Sequence, residues 1–62
     1  MLVFKGISNH QCEFQDTDSS VTYWLQQEPD DGQVQVQGEE ATVTVGGRVG
    51  VFAIRGGPVR WL

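Results

Sequence analysis

His10 is the only histidine in the chain, so any imidazole chemistry must be built around it. With Ser8 and Asp16 it supplies the residue types of a nucleophilic triad. Such groups are defined by mutual geometry, and the sequence around Ser8 carries no nucleophile turn. No catalytic residue is assigned, and the chain is expected not to be an enzyme. On an alternating backbone His10 and Cys12 share a strand face, but two donors fall short of the four that a structural zinc ion takes. Core packing is the expected role of both. Asp16, Asp18 and Ser20 fall at the first, third and fifth positions of a calcium loop. Val21 then stands where that loop needs glycine, and Gln27 where it needs a bidentate glutamate. A solvated turn rich in side chains that bond their own backbone is predicted instead, and no metal or cofactor is assigned.

The remaining chemistry is charge. Eight acids and four basic residues give a net charge of −4, unevenly spread. Residues 1–40 carry all eight acids against Lys5 alone, a net −7, whereas residues 41–62 carry Arg48, Arg55 and Arg60 and no acid. The two parts attract one another, and mutual neutralisation is the simplest outcome. Asp30 with Asp31, and Glu39 with Glu40, are neighbours in sequence and point apart on a strand, so they read as loop-tip charges and an acidic patch for a basic partner. The arginines, with Phe52 and Trp61, are ingredients of a single-strand nucleic-acid surface. The registers below put Arg55 and Arg60 on one face and Phe52 and Trp61 on the other, and the chain has a pI near 4.5. Both facts disfavour nucleic acid.

The elements that must position these residues are short strands. Ala41 to Leu62 reads ATVTVGGRVGVFAIRGGPVRWL, three apolar runs parted by two Gly-Gly pairs, and predicts a three-stranded antiparallel meander. A three-residue loop Gly46-Gly47-Arg48 pairs Val45 with Val49, Val43 with Val51 and Ala41 with Ala53, which gathers the aliphatic residues on one face; glycine supplies the positive φ that such a turn needs. A two-residue Gly56-Gly57 loop sets Ile54 across from Val59 and Phe52 across from Trp61. Pro58 has no N–H to donate, which marks the last strand as an edge or its turn as open.

Upstream, Met1 to Lys5 is a first strand stopped by Gly6. Asn9 to Gln15 alternates, with His10, Cys12 and Phe14 on one side. Val21 to Gln27 reads as a strand on its β-branched and aromatic content, with a two-turn helix ending before Pro29 as the alternative. Glu28 to Gly32 is a turn. Gln33-Val34-Gln35-Val36-Gln37 and Thr42-Val43-Thr44-Val45 form a hairpin with valines on one face and Gln and Thr on the other.

The 62 residues therefore predict one domain, residues 1–62: an all-β antiparallel barrel or sandwich of SH3-like or OB-like size, with about six short strands. A domain this small buries only about 60% of its unfolded surface. Neither a disulfide nor a zinc site reinforces it, and the doubly apolar meander is hard for the other 40 residues to cover. A homodimer or a subunit of a larger assembly is expected. The chain reads as a non-enzymatic protein-binding or structural module, with Phe52, Arg55, Arg60, Trp61 and Leu62 as its partner-binding residues and a phage or mobile element as one setting. A nucleic-acid-binding barrel using the C-terminal arginines with Lys5, and an acidic nucleic-acid mimic using Asp30, Asp31, Glu39 and Glu40, are the alternatives. No apolar run is long enough to span a membrane, and the N-terminal MLVFKGIS, with no basic region before an apolar stretch of only four residues, does not read as a secretory signal; with one unpaired cysteine, the cytoplasm is the expected compartment.

Overall fold

In a computed structural model, residues 1–53 and 58–62 are described. They are mostly strand, arranged as two antiparallel sheets. The first contains β1 (Leu2–Ser8), β2 (Gln11–Asp16) and β3 (Thr22–Leu25) in that order; the second contains β4 (Val34–Gln37), β5 (Glu40–Val45), β6 (Arg48–Ala53) and β7 (Arg60–Trp61). A single 3₁₀ turn, Asp30–Gly32, lies between the sheets in sequence. Among the described residues no helix is long and apolar enough to cross a membrane.

Alternation does most of the building. Cys12, Phe14 and Asp16 on β2 are buried while Gln11, Glu13 and Gln15 are half-exposed, the period of two that a one-sided sheet imposes. Tyr23 and Leu25 turn inward from β3 and Trp24 turns out. Val34 and Val36 face inward opposite Val43 and Ala41, with Gln35 and Thr42 on the outer side, as the alternating sequence requires. The sheets meet through aromatic rings: Phe14 stacks on Phe52 at 5.5 Å between centroids, Phe4 lies 5.4 Å from Phe14, and Tyr23 meets Phe52 edge-on at 6.0 Å. Leu2, Cys12, Leu25, Ala41 and Val43 fill the space around them. One backbone bond, Leu2 N–H to the Gly38 carbonyl at 3.0 Å, ties the start of β1 to the β4–β5 turn.

Four features depart from the sequence reading. β1 does not stop at Gly6. It passes through a bulge, with Phe4 opposite Phe14 and Gly6 opposite Glu13, because glycine accepts the φ of 140° found there. Asn9 and His10 are not strand residues; with φ of 53° and 63° they form the two-residue turn between Ser8 and Gln11, a conformation that asparagine tolerates well. His10 therefore does not share a strand face with Cys12.

The third correction concerns the meander. The Gly46-Gly47 loop has two residues, not three: Val45 pairs with Arg48, Val43 with Gly50 and Ala41 with Phe52. Both glycines have positive φ, 58° and 79°, as a primed hairpin turn demands. Matching valine to valine across the turn would have put Val49, Val51 and Ala53 toward the core; the observed register puts Gly50 and Phe52 there. Fourth, Trp61 stands across from Gly50 rather than Phe52, and Arg60 across from Val51. This is a slip of two residues, so each side chain keeps its face. Ile54 and the Gly56-Gly57 turn lie outside the described residues. β7 is the edge of its sheet, as Pro58 implied.

Candidate functional site

The register gives the four-stranded sheet two contrasting faces. Its inner face carries Val34, Val36, Ala41, Val43, Gly50 and Phe52, with Trp61 at one end. Trp61 lies over Gly50 so closely that a Cβ there would stand 2.9 Å from two of its ring carbons and 2.7 Å from Val59 Cγ1. The Arg48 guanidinium sits 5.3 Å from the Trp61 ring centre, a cation–π contact that closes this end of the core.

The outer face holds Thr44, Val49 and Leu62 in one cross-strand row and Gln35, Thr42, Val51 and Arg60 in the next. Glu40 and Ala53 begin a third row, toward Pro58. Leu62 reaches its place by donating its N–H to the Val49 carbonyl at 2.8 Å, and the residue is 74% exposed. Val49, Val51 and Ala53 thus form an aliphatic stripe down β6 that is only half-buried. A shallow groove over its lower end is lined by Glu40, Val51, Ala53, Pro58 and Arg60. Another, at the upper end, is lined by Gln33, Gln35, Thr42, Thr44 and Val49 among others.

The residues singled out from the sequence are dispersed. Phe52 is in the core, too buried to meet a partner, and Trp61 is half-buried beneath Arg48. Arg60 and Leu62 reach the outer face. Arg55 lies outside the described residues. Asp30 is structural: its carboxylate accepts the Gly46 and Gly47 N–H groups, each at 2.9 Å, and these two bonds hold its pKa below the usual carboxylate range. Asp31 is exposed in the 3₁₀ turn at a φ of 51°. Glu39 lies 3.4 Å from the Met1 amino group, and Glu40 is on the outer face. The four acids do not share one surface. Of the basic residues, Lys5 is exposed on β1, Arg48 caps the core and Arg60 is on the outer face, so the described ones make no continuous stripe.

Ser8 and His10 flank one end of β2, and Asp16 is at the other. Asp16 accepts from the Met1 amino group at 2.8 Å and from the Ser19 hydroxyl at 2.8 Å. These contacts, the amino group first, hold its pKa down to about 2. His10 Nδ1 lies 2.8 Å from Glu28 Oε1 at the exposed tip, while the Cys12 thiol is buried against the Gln27 carbonyl at 3.5 Å. Burial, then the Glu28 charge, pushes the thiol pKa up. Among the described residues no three metal-ligating side chains converge.

The outer stripe of Val49, Val51 and Ala53 was missed in the sequence because the valine-matched register placed these residues on the same face as Val45, Val43 and Ala41. The signal that would have found it is the Gly46-Gly47 pair itself, the sequence of a two-residue primed turn. Comparison with protein-family models, with curated proteins and with solved structures finds no match.

Proposed function

We propose that this chain is a small non-enzymatic protein-binding module whose docking surface is the outer face of β4–β7. The two sheets serve as a compact sandwich-like scaffold for it. The observation that carries this reading is the aliphatic stripe of Val49, Val51 and Ala53, extended by the exposed Leu62 and bordered by the neutral side chains Thr42, Thr44 and Gln35. A one-sided sheet ordinarily turns polar residues outward. Here the outer side of β6 has none, and a contiguous apolar strip with a polar rim is the composition of an interface. The reading makes Arg60 and Leu62 partner contacts and assigns Phe52 and Trp61 to the scaffold. A buried, unpaired thiol at Cys12 suits a reducing compartment such as the cytoplasm.

Val51→Asp tests this, since it places a charge at the centre of the face without touching the core. Tagged wild-type chain is expected to retain a protein from a lysate of the source cells that Val51→Asp loses, while Trp24→Ser, on the outer side of the other sheet, retains it. Identical capture by wild type and Val51→Asp would remove the reading, provided circular dichroism shows both to be folded.

A further inference from the structure

The charges on this face point to its occupant. Among the described residues, the register places two charged side chains on it: Glu40 on β5 and Arg60 on β7. Both are exposed, and neither makes an ion pair within the described residues. They stand on opposite sides of the aliphatic stripe. The chain as a whole carries −4, so two copies repel over most of their surfaces, but the described residues of this face contribute one charge of each sign.

We propose, resting on the reading of this face as a docking surface, that its occupant is a second copy of the chain, packed sheet on sheet about a two-fold axis running along β6. In such an isologous contact each patch meets itself, and the position of the axis decides which charges meet. An axis across the strands lays β7 on β7 and brings Arg60 toward Arg60 of the other copy, a like-charge contact. An axis along β6 exchanges the flanking strands: β5 of each copy lies over β7 of the other, Val51 packs on Val51, and Glu40 faces the strand that carries the other copy's Arg60. Glu40 falls one cross-strand row from that arginine. Packed sheets are about 10 Å apart and rotated by about 30°, so the two long side chains have the reach to close the gap. Two symmetry-related Glu40–Arg60 pairs then border one aliphatic centre, the arrangement of polar rim and apolar core found in interfaces. The face is only a few residues deep on a small sheet, which sets the dimer at the weak end of specific interfaces, with a dissociation constant on the order of micromolar.

Charge exchange tests the pairing. Sedimentation equilibrium at low salt is run on wild-type chain, Glu40→Arg, Arg60→Glu and the double variant Glu40→Arg/Arg60→Glu. Each single variant sets like charges against each other at both symmetry-related contacts and is expected to weaken the dimer by about tenfold. The double variant restores opposite signs and is expected to recover to within about threefold of wild type. Both positions are exposed, and the double variant's own association verifies that the substituted chain is folded. A wild-type chain that stays monomeric to millimolar concentration overturns the proposal. So do single variants that dimerise as wild type does, or a double variant no better than the singles. If wild type is monomeric but Val51→Asp still loses a captured protein, the docking surface stands and its occupant is another protein.

Discussion

Gly50→Ala is the substitution by which the Trp61 end of the core is most sharply tested. The methyl group it adds would lie 2.9 Å from Trp61 Cε3 and Cζ3 and 2.7 Å from Val59 Cγ1, whereas carbon atoms in contact prefer about 3.5–4.0 Å. The shortfall is roughly 1 Å, so the ring and Val59 must move outward together. The Trp61 ring then leaves its place beside Arg48, and β7, which is two residues long and an edge, is the element that yields. Inserting one methyl group into a packed site costs about 1–3 kcal/mol, which for a domain of this size is a fall in Tm of roughly 5–20 °C. The assay is thermal unfolding followed by tryptophan emission in a Trp24→Phe background, so that Trp61 alone reports. The expected result is a lower Tm and a red-shifted native spectrum, with Arg48→Ala giving a smaller red shift. An unchanged Tm and spectrum would show that Trp61 does not lie on Gly50, and the β6–β7 register would fail with it.

Three further outcomes follow from the packing and the charges. Phe14→Ala removes the ring that joins Phe4 to Phe52 and is expected to cost about 3–5 kcal/mol, enough to unfold much of a marginal small domain; urea unfolding measures it, and a loss below about 1 kcal/mol would contradict the shared core. Asp30→Ala leaves the Gly46 and Gly47 N–H groups without their carboxylate, and the expected consequence is a lower Tm with faster amide exchange confined to the β5–β6 turn. Asp16 has a folded-state pKa below its ordinary value of 3.8, about 2, so its contribution to stability is present above the ordinary pKa and disappears as pH falls through the folded one. Tm is therefore expected to drop between about pH 4 and pH 2, and Asp16→Asn should flatten that part of the profile; an equal drop in the variant would assign the acid limb to other carboxylates.

What could be read from the sequence was set by how local its physical cause is. The alternation of Gln33 to Gln37 and Thr42 to Val45 fixes the facing of each valine within a single strand, and it holds in the structure. So does the strand reading of Val21 to Gln27, over Thr22–Leu25, and the edge position of the strand after Pro58. The meander's register was not local. Matching valines across Gly46-Gly47 ignored Gly50, which has no side chain to match and is filled instead by Trp61 from the next strand, and ignored Asp30, which holds the turn from sixteen residues away. The same applies to the acidic group. Asp30 and Asp31 are neighbours in sequence, yet one accepts two turn N–H groups and the other is exposed. The candidate surface became visible only once the register was known, because a shift of one residue in pairing exchanges the faces of a strand.

The outer face of β4–β7 is proposed to bind a second copy of this molecule, and a dilution series of amide chemical shifts addresses that self-association residue by residue. From about 1 mM to about 10 μM, a range that spans the expected micromolar dissociation constant, the amides of Thr42, Val49, Val51, Ala53, Arg60 and Leu62 are expected to move together along one binding curve, while those of Thr22 to Leu25 stay fixed. Shifts that do not change with concentration, or that change around Trp24 and leave β6 still, would contradict it.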